Sequence, residues 1–451
     1  MRWDDEAKVA DTSARPGLAV RLCAQRLLGA VIDTATPLDG LTDETNGHPQ
    51  YRALDARDRS LVRAILSSAL RHRNTIEAFL VTLYDRALPA NAKSLQHLLH
   101  VASAQILFLD VPNHSAVDLA VESARHDPRN AKFANLVNAV LRGMIRATDE
   151  RMPSLYANTL DAPKWLAESL MQSYGRSKAA AIVAMHRIEA PIDFTVKSNP
   201  QKWADAFGGV VLPNGTVRVA NLPSPVPELP GFADGEWWVQ DVAASLPAKL
   251  MGDVRGKRVA DLCAAPGGKT ATLCAAGADV TALDLSASRL KRLESNLARL
   301  GLKAETWQGN LLDFKPAELF DAVLLDAPCS STGTIRRHPD VAWTKTPADI
   351  DKLAALQFKL LAHAATLVKP GGTLVFANCS LVAQEGEDLA DRAVYDILGL
   401  IADPIQPAEL PGMESLIDGH GYLRSTPADL PNDEDKLAGM DGFFAVRFKR
   451  G

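Results

Sequence analysis

Two cysteines each follow a run of apolar residues, at places where the chain must turn. Cys379 lies in "FANCSL", and Cys329 lies in "LLDAPCSS", shortly after Asp326. A buried cysteine ordinarily fills a small apolar gap. A thiol at the end of a strand can instead act as a nucleophile, provided that its pKa is lowered. The residues alone leave both interpretations open.

Composition narrows the classes of protein to consider. The chain has 451 residues, 47% of them hydrophobic and 23% charged, which is enough for two or three domains. Its formal net charge is -5, so a site for a polyanion must be a local patch. The five cysteines include no CxxC pair, which argues against a disulfide framework or a zinc site and favours a reducing compartment. We therefore expect no bound metal.

The sequence gives no indication of a membrane partner. The N-terminal stretch "MRWDDEAKVADTSARPG" is charged and lacks the apolar region of a signal peptide. No run approaches the ~18 apolar residues that a membrane span needs. These features predict a soluble cytoplasmic protein.

Periodicity and composition predict a multidomain chain of four segments. Residues 1–15 are predicted to be a disordered tail, and residues 16–150 an all-helical domain. Residues 151–235 are predicted to form a small α+β connector, with a helix in "PKWLAESLMQSYG" and strands in "IDFTVKSN" and "GTVRVANL". Residues 236–451 alternate between short strands and helices, which is typical of an α/β domain.

The α/β segment has the pattern of a parallel, doubly wound sheet. Its strands are predicted in "RVADLCA", "DVTALDLS", "AETWQGN", "FDAVLLDAP" and "GTLVFANCS". Ser286 is expected to cap the helix after the second strand, and Thr346 with Pro347 the helix before the fifth. A last strand, "GFFAVRFK", is predicted to be antiparallel at an edge, and residues 403–440 to be mostly loop.

The loop "DLCAAPGGKT" follows the first of these strands and opens a helix, where open α/β sheets bind ligands. Gly267 and Gly268 allow a ligand to approach the backbone, and the helix N-terminus offers free amides. No GxGxxG or GxxxxGK(S/T) phosphate motif is present, yet Asp284 can accept both hydroxyls of a ribose, unless it only caps a helix. A nucleoside without phosphates is indicated, and S-adenosylmethionine fits that description.

Four stretches in combination resemble the Sun-type RNA cytosine-5 methyltransferases: "DLCAAPGGKT", "LDAPCSSTGTIRRHPD", "FANCSL" and "DGFFAVRF". The helical part, notably "VPNHSAVDLAVESAR" and "FANLVNAVLR", resembles the NusB-like RNA-binding domain of the bacterial RsmB branch, which modifies 16S ribosomal RNA. The resemblance implies a NusB-like helical domain, a small connector and a Rossmann-like class I methyltransferase domain. It also implies S-adenosylmethionine as cofactor and RNA as partner.

The resemblance implies a role for each matching residue. Cys379 would be the nucleophile that adds to cytosine, Cys329 would assist release as the base or through it, and Asp326 would face nitrogen 3 of the ring. The thiols of Cys23 and Cys274 are interpreted as packing, as is that of Cys263. The implied cofactor contacts are Cys263, Ala264, Ala265, Pro266, Gly267, Gly268, Lys269, Asp284, Asn310 and Asp326.

The sequence departs from the family pattern beside two of these sites. Asn378 precedes the nucleophile where the family usually has threonine, and we expect it to alter a hydrogen bond without removing the chemistry. Asn310 stands where the family usually has an aspartate that contacts the adenine, so this contact loses its charge. Asp313 is a possible substitute, or else a helix cap.

Other polar residues near the motifs allow two interpretations each. Lys269 could hold Asp326 or the methionine carboxylate of the cofactor, or could be a solvated side chain. Gln240 and Asp241 match the family's entry to the catalytic domain and are expected to be structural.

Two basic groups are candidates for contact with RNA. Arg336, Arg337 and His338 could meet the phosphates around a target base, or could form an exposed turn. A second group lies late in the helical domain and could contact RNA or be a solvated helix face: Arg125, Arg129, Lys132, Arg142 and Arg146.

The predicted activity is methylation of cytosine in RNA, most directly in 16S rRNA, by a monomer. A tRNA enzyme is an alternative, and so is a non-catalytic ribosome assembly or antitermination factor that keeps the fold only to bind RNA. The presence of both Cys329 and Cys379 with Asp326 argues against the non-catalytic factor. DNA cytosine methyltransferases are disfavoured, since they use the Pro-Cys cysteine as nucleophile and lack the second one.

Overall fold

The computed structural model describes residues 15–451. The tail predicted at residues 1–15 therefore lies outside the described residues, apart from Arg15. The chain divides into two compact units, one made of the residues up to 167 with 338–345, the other of residues 168–337 with 346–451. Within the described residues, none of the helices has both the length and the apolar character that crossing a membrane requires.

The first unit is all-helical, as predicted. Its interior is built from aliphatic side chains that recur at helical spacing, such as Leu27, Leu66 and Leu99, each fully buried. The boundary predicted at residue 150 falls inside its last long helix. Its helices are α1 (Leu18–Thr34), α2 (Leu38–Leu41), α3 (Pro49–Arg52), α4 (Ala56–Arg71), α5 (Arg73–Val81), α6 (Lys93–Phe108), α7 (Asn113–His126) and α8 (Ala134–Asn158).

The helices that follow in the chain include a long one, α9, that is broken at Gly175, where φ is 75°. They are α9 (Lys164–His186), α10 (Pro200–Phe207), α11 (Val242–Lys249), α12 (Gly268–Ala275), α13 (Ala287–Arg299), α14 (Val341–Thr344), α15 (Pro347–Thr366) and α16 (Glu387–Asp396). The short α14 belongs to the first unit, because it lies in the segment 338–345.

The second unit contains two sheets. The strands of the smaller sheet are β1 (Ile192–Val196), β2 (Val210–Val211), β3 (Val217–Val219) and β4 (Trp237–Val239). The strands of the larger sheet are β5 (Arg258–Leu262), β6 (Asp279–Asp284), β7 (Glu305–Gln308), β8 (Phe320–Asp326), β9 (Val368–Asn378), β10 (Leu400–Ala402), β11 (Leu423–Ser425) and β12 (Phe443–Arg450).

The smaller sheet has the order β2-β3-β1-β4 with antiparallel pairs, and it contains both strands predicted for the connector. Its centre is aromatic: Phe194 packs edge-on against Trp237, with ring centroids 4.9 Å apart. Beside this core the Arg218 guanidinium donates two hydrogen bonds to the Asp193 carboxylate, at 2.8 and 2.7 Å. Both side chains are excluded from water, so each charge depends on the other.

The larger sheet has the order β10-β12-β9-β8-β5-β6-β7, with β11 paired to β12. The five predicted strands β5 to β9 are present and parallel, as expected. The final strand β12 is antiparallel to β9, as predicted, but its predicted edge position is wrong because β10 pairs with its outer side. The predicted caps are confirmed: Ser286 caps α13, and Thr346 forms a capping box with Asp349 at α15.

The parallel strands bring the sequence motifs to one edge of the sheet. The strands β5, β6, β8 and β9 end at Leu262, Asp284, Asp326 and Asn378, respectively, and each leads into a loop at this edge. Because β8 pairs with β5 on one side and β9 on the other, the cofactor loop and both cysteine loops are neighbours.

We expect Arg218→Ala to lower the free energy of unfolding of the second unit by about 3–5 kcal/mol, because it leaves the Asp193 carboxylate buried without its partner. Urea unfolding followed by tryptophan fluorescence measures the loss. Lys178→Ala is the control, since its ion pair with Asp429 is partly exposed and should contribute no more than about 1 kcal/mol. Equal small losses for both variants would contradict the expectation.

Candidate active site

The two cysteines singled out in the sequence lie side by side. Cys329 follows β8 and Cys379 follows β9, and these strands are parallel neighbours in which Asp326 pairs with Ala377. The two Sγ atoms are 3.5 Å apart, within the range of a sulfur hydrogen bond. Both thiols are partly accessible. Sequence positions separated by fifty residues thus supply one pair of interacting thiols.

The surroundings of the two thiols distinguish them. The hydrogen bond with Cys329 lowers the pKa of Cys379, against the opposing effects of burial and of the Asp326 charge. The Ser331 hydroxyl and the Lys269 ammonium also lower the pKa of Cys379. The same hydrogen bond with Cys379, together with burial, raises the pKa of Cys329 well above its ordinary value. The pair therefore favours a thiolate at Cys379 and a proton on Cys329.

Asp326 lies at the end of β8 and is held by Lys269. The Lys269 Nζ atom donates a hydrogen bond to Asp326 Oδ2 at 2.7 Å, and it lies 4.8 Å from the centre of the Phe443 ring. Lys269 is only 7% exposed, so it is not a solvated side chain. The sequence allows Lys269 to hold Asp326, to bind the methionine carboxylate of the cofactor, or to be solvated. The structure shows the contact with Asp326.

The predicted cofactor loop joins β5 to α12. Gly267 has φ of 102°, and a Cβ there would lie 2.8 Å from Leu293 Cγ, so the position requires glycine. At the end of β6, the buried Asp284 carboxylate accepts hydrogen bonds from the Ala265 and Ser286 amides, at 3.2 and 3.0 Å. Arg289 forms an ion pair with Asp284 at 3.2 Å.

Asp261 is a second buried carboxylate beside this loop. Its Oδ2 atom accepts a hydrogen bond from Thr270 at 2.6 Å, whereas its Oδ1 atom has no partner among the described residues. Burial raises the pKa of Asp261 to about 7. The open acceptor of Asp261, the Asp284 carboxylate at the end of β6 and the close-approach glycine Gly267 fit a phosphate-free nucleoside.

The loop after β7 carries the two residues discussed as adenine contacts. Asn310 is exposed, and its side chain caps the turn Leu311–Asp313 by accepting a hydrogen bond from the Leu312 amide at 3.2 Å. Asp313 lies within that turn, so the cap expected at Asp313 is formed by Asn310 instead. Among the described residues, no group of histidine, cysteine and carboxylate side chains could hold a metal ion.

The structure does not support the phosphate contacts predicted for Arg336 and Arg337. Arg336 is 1% exposed, and its guanidinium donates to the Ala438 carbonyl at 3.0 Å. Arg337 is paired with two carboxylates, Asp241 at 2.5 Å and Asp441 at 3.1 Å. Both arginines are thus used to hold the fold, since buried guanidinium groups need such partners.

Three further residues named in the sequence analysis, His338, Asp241 and Gln240, contact other protein side chains or backbone. His338 belongs to the first unit, where its ring lies 3.5 Å from Asp39. Asp241 caps α11 by accepting a hydrogen bond from the Ala243 amide at 2.8 Å. Gln240 accepts from the Trp238 indole at 3.0 Å. These contacts agree with the structural roles expected for Gln240 and Asp241.

The sequence analysis missed a polar group behind the thiols. Glu385 is fully buried and accepts hydrogen bonds from Ser330 and Ser380, the residues that follow the two cysteines. Asn378, the residue that departs from the family pattern, donates to the Glu385 carbonyl at 2.6 Å and accepts from the Ser380 amide at 3.0 Å. Glu385 lies in a polar stretch, "AQEGED", which has no feature that predicts burial.

The first unit has a groove of about 890 Å³ between α1, the start of α6 and the segment that joins α7 to α8. Of the five basic residues predicted late in the helical domain, Arg129 and Lys132 line this groove, together with Arg26 and Lys93. Arg125 is paired instead with Glu122, outside the groove. Only part of the predicted basic cluster therefore lies on a concave surface.

Comparison with known proteins agrees with this architecture. The family model "16S rRNA methyltransferase RsmB/F" matches residues 249–447, and the NusB family model matches residues 19–146. The chain is 35% identical to ribosomal RNA small subunit methyltransferase B of Vibrio cholerae, over 83% of this chain and 93% of that protein. It is 34% identical to the protein of the same name from Klebsiella pneumoniae, over 83% and 91%. A solved structure named PH0851 has a TM-score of 0.70 over 97% of this chain and 99% of its own, at 20% identity, which shows the shared fold.

The chain belongs to the RsmB/F family of methyltransferases, whose members are S-adenosylmethionine-dependent enzymes acting on RNA. The predicted family, fold class and cofactor are confirmed: a NusB-type helical domain precedes a class I methyltransferase domain. The residues that would hold S-adenosylmethionine are Asp284, Asp261 and the loop 263–269, which lie at the carboxyl ends of β5 and β6.

We expect purified protein to bind S-adenosylhomocysteine, the demethylated cofactor, without any added metal. Asp284→Ala should weaken this binding by about 1–3 kcal/mol if the carboxylate accepts the ribose hydroxyls. Isothermal titration calorimetry measures the change. Asp279→Ala, at the exposed opposite end of β6, is the matched control and should leave the affinity unchanged. A strict metal requirement, or unchanged affinity in Asp284→Ala, would contradict the cofactor site.

Proposed function

We propose that this chain transfers a methyl group to carbon 5 of a cytosine in RNA, most directly 16S rRNA, through a covalent adduct with Cys379. The observation that carries this proposal is the thiol pair, in which the two sulfur atoms lie 3.5 Å apart; the pKa of Cys379 is lowered and that of Cys329 is raised. Two thiols in such an arrangement suit a reaction with an addition step and an elimination step.

The chemistry of cytosine explains why a nucleophilic thiol is useful. Carbon 5 is a poor nucleophile in the aromatic ring. When the Cys379 thiolate adds to carbon 6, aromaticity is lost and electron density moves to carbon 5. S-adenosylmethionine supplies the electrophilic methyl group. The proton on carbon 5 must then pass to a base as the bond between carbon 6 and sulfur breaks, which restores the ring and the thiolate.

The remaining site residues suit the two steps. Asp326, held by Lys269, lies beside the thiols and is proposed to face nitrogen 3 of the ring and stabilise the adduct. Cys329 is proposed to assist elimination, as the base or through it. Because its raised pKa leaves the thiol protonated, Cys329 must first pass that proton to solvent before it accepts the carbon 5 proton, or else it acts through a solvent base that takes this proton.

The nature of the RNA rests on a different observation. The matched relatives are named rRNA small subunit methyltransferases, which supports rRNA over tRNA as the substrate class. A non-catalytic RNA-binding factor would need neither the thiol pair nor Asp326. We further propose that the groove of the NusB-type domain contacts the RNA backbone.

The two thiols should fail in different ways when removed. Cys379→Ala should abolish methyl transfer and leave no covalent RNA complex, because no adduct can form. Cys329→Ala should still permit addition and methylation but stall elimination. It should accumulate protein bound to RNA, seen as a slower, nuclease-sensitive band on a denaturing gel.

Two controls make the thiol experiment decisive. Cys329→Ala combined with Cys379→Ala should show no band, and Cys274→Ala should behave as wild type. Trapping by Cys379→Ala instead would reverse the roles, and full activity of both single variants would leave the cysteines as packing.

Bisulfite mapping of RNA from cells that carry only Cys379→Ala should show a lost methyl group in 16S rRNA, whereas a loss in tRNA would favour the tRNA alternative.

The groove is expected to supply a salt-dependent part of RNA affinity. Arg26 and Lys132 are exposed and line the groove, so Arg26→Ala with Lys132→Ala should weaken binding and reduce the slope of log affinity against log salt by about 2. Fluorescence anisotropy with labelled rRNA fragments measures both quantities. Arg125→Ala with Arg142→Ala removes two exposed charges that do not line the groove and should leave the slope nearly unchanged. Equal effects at both places would indicate a diffuse field rather than a groove.

A further inference from the structure

One buried carboxylate connects the two catalytic loops. Glu385 lies in a turn just before α16 and is fully excluded from water. Its carboxylate accepts hydrogen bonds from the Ser330 amide at 2.9 Å, the Ser330 hydroxyl at 2.5 Å, the Ser380 hydroxyl at 2.6 Å and Gln357 at 2.8 Å. These four donors are neutral, so the carboxylate is held by directed hydrogen bonds alone.

The partners of this carboxylate are the residues next to the thiols. Ser330 follows Cys329 directly, and Ser380 follows Cys379 directly. Their hydroxyl oxygens are 3.1 Å from each other, on the buried side of the two loops. The distance between the two sulfur atoms is therefore coupled to a single buried group that both loops share.

Further contacts fix this carboxylate in turn. Gln357, on α15, donates to both Glu385 Oε1 and the Pro328 carbonyl, at 2.8 and 2.9 Å. Asn378 donates to the Glu385 carbonyl at 2.6 Å, and so connects the end of β9 to the same turn. A network in which every oxygen of a buried carboxylate is used specifies one geometry and tolerates little displacement.

We propose that Glu385 is the positioning residue that sets the spacing and the proton sharing of Cys329 and Cys379. It acts through Ser330 and Ser380 and does not touch the reacting base. The inference rests on the proposed function, in which the two thiols have different roles.

Electrostatics supports the same role. The pKa of Cys329 is raised by its hydrogen bond with Cys379, by burial and by the charge of Cys379, and the Glu385 charge adds to these effects. The negative charge of Glu385 disfavours ionisation of Cys329, so the shared proton stays on Cys329 and the thiolate forms at Cys379. Glu385 would thereby select which cysteine attacks.

The test measures which cysteine reacts, in the full-length protein without RNA or cofactor. Limiting iodoacetamide should alkylate Cys379 in preference to Cys329 in the wild type, as quantified by mass spectrometry of the two peptides. In Glu385→Gln the ratio of Cys379 to Cys329 alkylation should fall by about tenfold or more, because hydrogen bonds to a charged group are lost. The thiols of Cys263 and Cys274, whose pKa values burial raises to about 12, serve as internal references for general unfolding.

The same variant should slow methyl transfer without weakening the binding of the cofactor. Methyl transfer at saturating RNA should fall about tenfold to a hundredfold in Glu385→Gln, while the affinity for S-adenosylhomocysteine stays within about twofold of wild type. Glu318→Gln removes an exposed carboxylate paired with Arg258 and should change neither measurement. Glu385→Gln with wild-type selectivity and rate would overturn the inference.

A second pair of variants covers the case in which Glu385→Gln does not fold. Ser330→Ala and Ser380→Ala each remove one hydroxyl donor to the carboxylate and should each lower the alkylation ratio, by about threefold to tenfold. Unchanged ratios in both would overturn the inference. If the wild-type protein is alkylated selectively at Cys379 but methylates no cytosine, the proposed function fails while the inference about Glu385 stands. The failure of the proposed function and the failure of this inference are therefore distinguishable.

Discussion

Two thiols whose sulfur atoms are 3.5 Å apart cannot both carry a negative charge in a largely buried site. One proton must be shared between them, and the protein decides where it resides. In this structure Lys269 and Ser331 favour the thiolate at Cys379, and the hydrogen bond and burial favour the proton on Cys329. The proposed division of labour, with Cys379 as nucleophile and Cys329 as the residue that assists release, depends on this sharing, because only a thiolate can add to the ring.

The sheet provides the precision that this sharing requires. Parallel pairing of β8 with β9 fixes the register of Asp326 and Ala377, and the cysteine loops start from those positions. The turn before β12 adds a further restraint: a Cβ at Gly333 would lie 1.9 Å from the Gly442 carbonyl oxygen and 2.8 Å from that of Cys379. The terminal "DGFFAVRF" motif therefore supports the nucleophile loop from behind, although it carries no group that reacts.

Much of this architecture could be predicted from the sequence, for definite physical reasons. Strands β5 to β9 are apolar runs separated by capped helices, and such patterns are local. The position of β12 was predicted wrongly because β10 has only three residues, too few to show a period. The position of Arg336 and Arg337 after the loop of Cys329 predicts either phosphate contacts or an exposed turn, because their partners Asp241, Asp441 and Ala438 lie about a hundred residues away in the chain. Glu385 was missed for the same reason, since burial of a carboxylate depends on distant donors that no local pattern reveals.

Asn378 illustrates how a departure from a family pattern can be compensated within the structure. A threonine at this position offers one hydroxyl, whereas the asparagine amide donates to the Glu385 carbonyl and accepts from the Ser380 amide at the same time. Both contacts are buried, so each would leave an unpaired backbone group if the side chain were removed. The asparagine is therefore integrated into the turn that carries Glu385, and it tightens the connection between the end of β9 and the carboxylate. That Asn378 leaves the chemistry intact stays a prediction; its side chain bonds to the supporting turn, whereas the sulfur of Cys379 has the separate partner Cys329.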